Sequence, residues 1–169
     1  YQGPVCLPSG LWRNDLSIPA GGWLTVDLDQ PDAPVSSQLN VPADGRTLEN
    51  KFWRVQSDGQ ANICEVYDRQ AGRQVLAPGS AANVWQIFED HPVANDAWDI
   101  DEYYATHPLQ APELVNLTIA EQGPARVAVD LEWSLPALGQ GEPGYIRQRM
   151  ALYENTPRID FETSVLWHR

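Results

Sequence analysis

Fourteen prolines and twelve glycines interrupt this 169-residue sequence so often that no stretch sustains a 3.6-residue apolar period. Long amphipathic helices are excluded by that punctuation. What remains is a series of short runs that alternate apolar and polar side chains, with turn residues about every ten positions, the pattern of an all-β protein. Residues 125–133 alternate most cleanly and place Val127, Val129, Leu131 and Trp133 on one face. Residues 145–153 and 159–167 read as a hairpin turning through Glu154-Asn155-Thr156-Pro157. In its second arm Ile159, Phe161, Thr163, Val165 and Trp167 share a face opposite Asp160, Glu162 and Ser164.

Upstream, residues 47–77 read as a meander. Runs at 52–56, 63–67 and 74–76 are separated by the turns 57–62 and 68–72, whose Asp-Gly and Ala-Gly pairs supply permissive backbone. Further strands are predicted at 23–28, 84–88 and 114–119. Residues 29–45 carry Pro31, Pro34 and Pro42 among Asp and Ser and read as a linker. Two regions follow: 1–45, a small region with its linker, and 46–169, a β domain. The chain starts without Met and stops at the end of a strand-like run, so it is expected to be a piece of a longer polypeptide.

Hydrophobic residues at 43% and charged residues at 20% describe an ordinary globular mixture. Eleven basic against 23 acidic side chains leave a net charge of −12, which argues against nucleic acid and against an anionic membrane surface. No apolar run approaches the ~18 residues of a membrane span. Cys6 and Cys64 are too few for a disulfide framework; of the two readings left, one bond between them or free thiols in a reducing compartment, the second is favoured. Asn116-Leu117-Thr118 fits a glycosylation sequon, which implies nothing without secretion.

The chemistry concentrates in residues 83–104. Glu89, Asp90, Asp96, Asp99, Asp101 and Glu102 are interleaved there with Trp85, Phe88, Trp98, Tyr103 and Tyr104. Rings stack on the apolar faces of pyranoses and carboxylates accept hydrogen bonds from hydroxyls, so this composition suits a sugar-binding surface. The plain alternative is an acidic loop whose aromatic residues anchor it to the core. Its aspartates would then serve Asx turns. On extended backbone Asp99 and Asp101 would point the same way, ~6.5–7 Å apart at Cα, which is compatible with a carboxylate pair but weak as an assignment. His91, His107 and His168 are scattered without metal-ligand spacing, so no metal site is assigned within the chain.

One family matches these features. Leu48-Glu49-Asn50-Lys51-Phe52, Asp58-Gly59, Tyr67-Asp68, Gly72-Arg73 and Val75-Leu76 resemble the opening of the C-terminal β domain of glycoside hydrolase family 38 α-mannosidases. Phe88-Glu89-Asp90-His91-Pro92 and Asp96-Ala97-Trp98-Asp99-Ile100-Asp101 resemble the loop signature of its cytosolic and bacterial branch. Arg158 through Thr163 and Trp167-His168 fit as well, and residues 16–28 resemble the last strand of the preceding small region. Leu166 and Arg169 depart from the pattern, each standing where an acidic residue is expected.

The resemblance implies an antiparallel β-sandwich of the supersandwich, galactose mutarotase-like type, of which this chain would hold the first part. It also implies a zinc-dependent, retaining parent enzyme acting on mannose-containing oligosaccharide. The zinc ligands and aspartate nucleophile would belong to a missing N-terminal catalytic domain. No catalytic residue and no bound cofactor are therefore expected in this chain. Trp98, Asp96, Asp99 and Asp101 would line the rim and bind substrate, and the location would be cytoplasmic. The competing readings are a stand-alone carbohydrate-binding module and a purely structural interaction domain. A truncated sandwich should also leave an unpaired edge near Val165, a route to homo-oligomers.

Overall fold

In the computed structural model, residues 5–7, 12–13, 16–27, 37–91, 94, 98, 100, 102–137 and 142–168 are described. The alternation of residues 125–133 becomes β8 (Arg126–Ser134), an inner strand of an antiparallel sheet ordered β10-β9-β8-β7. Its companions are β7 (Glu113–Gln122), β9 (Tyr145–Tyr153) and β10 (Thr156–Leu166). Val127, Val129, Leu131 and Trp133 all turn inward, each at most 3% exposed. Ile146, Met150 and Leu152 of β9 share that face.

A second antiparallel sheet covers it. β3 (Thr47–Glu49), β4 (Trp53–Ser57), β5 (Ile63–Asp68) and β6 (Arg73–Gln74) run in sequence order and contribute Leu48, Val55, Ile63 and Val66 to the same core. The molecule is thus an all-β sandwich, as the sequence predicts. A small separate pair, β1 (Val5–Cys6) with β2 (Trp12–Arg13), precedes it. Cys6 and Cys64 are free and exposed.

Two side chains tie the layers together. The Trp133 indole donates to the Gln60 carbonyl at 3.1 Å. Asn50, fully buried, donates to the Tyr153 carbonyl at 2.8 Å, and its Oδ1 accepts from the amides of Phe52 and Trp53 at 2.9 and 2.7 Å. All this pairing offsets the cost of burying a polar amide. Residues 37–41 dock alongside. Glu154 Oε2 accepts from Ser37 Oγ and from the Gln38 amide, Asn40 bridges Glu49, and Val41 enters the core.

Two expectations are corrected. Residues 23–27 pair with no strand and Trp23 is 82% exposed, because nothing among the described residues offers that segment a ladder partner. Residues 84–88 contract to a single bridge between Phe88 and Pro108. The last strand, β10, lies at an edge of its sheet, where the sequence reading expects one near Val165. Phe161 and Val165 are exposed on this edge strand, and Pro157 is tolerated at that edge.

Two turns set the strand connections. Gly45 closes the Pro42 turn at φ +66°, and a Cβ there would collide with Leu117 Cδ2. Asp58 accepts from the amides of Gln60 and Asn62 and from Asn62 Nδ2 between β4 and β5. Burial alone would raise its pKa. The hydrogen bonds of Asn62 and Gln60, with the charge of Arg46, outweigh it and hold the carboxyl below its usual range.

Gly45→Ala is expected to cost about 1–3 kcal/mol in urea unfolding. A loss below about 0.5 kcal/mol would show that the turn relaxes freely. The Asp58 contribution should be complete above the unfolded value of about 3.9 and fade as pH falls through the lower folded value. Asp58→Ala should therefore destabilise the chain by about 1–2 kcal/mol at pH 7 and by clearly less near pH 3. An equal loss at both pH values would contradict the assignment.

Candidate functional site

The acidic aromatic segment is a long loop clamped at its base. The Glu89 amide donates to the His107 carbonyl at 3.0 Å and the Leu109 amide to the Ile87 carbonyl at 2.9 Å, flanking the Phe88–Pro108 bridge. Inside the clamp the Phe88 and Tyr104 rings meet edge to face, 5.1 Å apart at 85°. Tyr104–Thr106 forms one 3₁₀ turn, within which the Thr106 hydroxyl donates back to the Tyr103 carbonyl at 2.7 Å. His107 Nδ1 lies 3.0 Å from that hydroxyl. His91 Nε2 lies 3.4 Å from Glu89 Oε2 at the opposite root.

The stem connects directly to the core. Trp85 packs edge to face on Trp133 with centroids 5.8 Å apart, and Ile87 packs on the same cluster. Asn83, in a left-handed conformation at φ 56°, donates to Gln148 Oε1 at 2.7 Å, and Gln148 Nε2 donates to Thr163 Oγ1 at 3.0 Å. The aromatic residues therefore divide into two groups. Trp85 and Phe88 hold the loop.

Trp98, Ile100 and Tyr103 project from it. Trp98 is 88% exposed, so within this chain it is not the buried anchor that the plain alternative required. Tyr103 and Ile100 are also well exposed. Asp96, Asp99 and Asp101 lie outside the described residues, so only Trp98 of the expected rim group has a described position. Among the described residues no three His, Cys, Asp or Glu side chains gather as a metal-ligand set. No helix of the described residues is long and apolar enough to cross a membrane.

Sequence reasoning missed the clamp residues. Neither Thr106 nor His107 carries a motif, and pairing between 87–89 and 107–109 joins segments some twenty residues apart. Trp98 was findable, because an aromatic ring among aspartates is the composition that singled it out as a rim contact.

Residues 48–169 match the family model described as the glycosyl hydrolases family 38 C-terminal domain. Alpha-mannosidase G of Dictyostelium discoideum is 27% identical over 172 residues, covering 95% of this chain and 16% of that protein. Alpha-mannosidase 2C1 of Homo sapiens is 26% identical over 159 residues, covering 90% of this chain and 15% of that protein. The mouse protein of the same name is 27% identical over 123 residues, covering 72% and 11%. The chain thus spans about a sixth, or less, of the length of these relatives.

Trp98→Ala should leave the unfolding free energy within about 0.5 kcal/mol of the parent chain, as for an exposed side chain. Phe88→Ala should instead cost about 2–4 kcal/mol and speed hydrogen exchange at the Glu89 and Leu109 amides. Unchanged exchange at both amides would mean that the loop root does not depend on that ring.

Proposed function

The chain belongs to glycosyl hydrolase family 38 through its C-terminal domain, and from that premise we propose that it is a non-catalytic wall of an α-mannosidase. The parent enzyme would be a zinc-dependent retaining glycosidase of the cytoplasm, hydrolysing α-mannosidic bonds in oligosaccharides. Its zinc and its nucleophile would reside in an N-terminal catalytic domain beyond this chain. No step of the reaction is assigned to the residues described above.

The supporting observation is Trp98, almost fully in solvent on a loop whose root is fixed to the core. A ring so placed offers its whole face to an apolar pyranose surface. Asp96, Asp99 and Asp101 would accept hydroxyl hydrogen bonds beside it and orient the sugar for attack. The relatives' names, both alpha-mannosidases, support the choice of mannose over another hexose. The uncovered β10 edge, with Phe161 and Val165 exposed, supports docking of further polypeptide there, either more of the same sandwich or a second copy.

The isolated chain is expected to turn over no aryl α-mannoside, with or without added zinc; turnover by a clean preparation would overturn the non-catalytic reading. In the full-length enzyme Trp98→Ala should remove about 1 kcal/mol of sugar binding, roughly a fivefold rise in KM with kcat little changed. Kinetics identical to the parent enzyme would remove Trp98 from the substrate rim.

A further inference from the structure

The sheet face turned away from the core holds a recess that the loop does not share. Because Val129 and Leu131 turn inward, their neighbours Asp130 and Glu132 turn outward. Asp130 pairs in the ladder with Arg149 and Glu132 with Arg147. On β7 these rows continue to Thr118 and Asn116, and on β10 to Glu162 and Ser164. Two adjacent rows of polar side chains thus cross all four strands. Together they line a cleft of about 510 Å³, within the range of small-ligand sites, and none of its lining residues comes from the acidic loop.

The lining chemistry selects the ligand. Arg149 grips Asp130 through two hydrogen bonds of 2.7 and 2.8 Å, and Arg147 Nε donates to Glu132 at 3.1 Å. Three carboxylates and two guanidiniums alternate here, so an anion or a cation meets both attraction and repulsion. A hydroxyl donates and accepts at once, and so suits neighbouring carboxylates and guanidiniums. Asn116, Thr118 and Ser164 make no side-chain hydrogen bond among the described residues and add neutral donors and acceptors. Arg147 also lies over the Tyr145 ring at 4.3 Å, which limits its freedom at one end of the cleft. All these groups stand on paired strands, which position them more firmly than a loop would.

We propose that this face is a second binding site, for a neutral polyhydroxylated chain such as an oligosaccharide. Glu132 and Arg147 give it charge-assisted hydrogen bonds, and Asn116, Thr118 and Ser164 read further hydroxyls. The assignment stands on the sheet geometry and is independent of Trp98. With hydrogen bonds and no stacking platform in the lining, the affinity is weak, with a dissociation constant on the order of 1–10 mM.

Titration of the ¹⁵N-labelled chain with mannotriose, with sodium sulfate as the anionic control, tests the site. Amide shifts should saturate at residues 116–118, 130–132, 147–149 and 162–164 with the sugar and not with sulfate. The Asn116→Ala/Ser164→Ala double variant should keep its melting temperature and bind roughly fivefold more weakly or worse. Trp98→Ala should leave these shifts intact even if it abolishes any response in the loop. The proposal is overturned by no saturation up to about 50 mM sugar, by shifts confined to the loop, by sulfate giving the same pattern, or by parental affinity in the double variant. Loss of the response in the full-length enzyme would show this face covered by protein, and would overturn it equally.

Discussion

The structure depends on closing β8 and β9 against β3–β5, and above all on Trp133. Its ring is buried at the centre of the interface, and its indole nitrogen hydrogen-bonds the opposite layer at Gln60. Burial of so large a side chain contributes about 3–5 kcal/mol by comparison with aromatic truncations. The polar link also fixes how the two sheets sit over each other, which apolar contact alone specifies poorly. Asn50 acts at the other end in the same manner, shaping the turn into β4 while holding the Tyr153 carbonyl. A sandwich held by apolar area and pinned at two points presents its connections in fixed places.

The acidic loop inherits that rigidity at its root. Trp85 leans on Trp133, Phe88 meets Tyr104, and the backbone bridge at Phe88 and Pro108 shuts the base. The far end, with Trp98, Ile100 and Tyr103, is left to solvent. The order from sheet interface to stem to projecting ring is the one needed to display an aromatic surface to something outside this chain.

Much of the sandwich was legible from local pattern. Strict alternation marked Val127 to Trp133, and the pair Glu154-Asn155 marked the hairpin, because both signals reside within a few residues. The described residues 23–27, like 84–88, alternate nearly as well, yet a strand exists only where another strand receives its hydrogen bonds, and that is a property of distant chain. On β10, alternation tells which residues share a side but not whether anything covers it; the edge near Val165 was expected instead from the resemblance to a longer domain. At the site, the mixture of rings and carboxylates pointed to Trp98 directly. The clamp around it was invisible, since Thr106 and His107 acquire their roles only when residues 87–89 and 107–109 meet.

The central claim is that this loop faces a mannose-cleaving pocket completed by another domain. Its most direct test is a crystal structure of the full-length enzyme with a non-hydrolysable mannoside bound. The account predicts the Trp98 ring within about 4.5 Å of a sugar carbon, with the catalytic groups on the far side of the same pocket. A Trp98 ring packed only on protein, or a mannoside bound well away from residues 89–107, would contradict it.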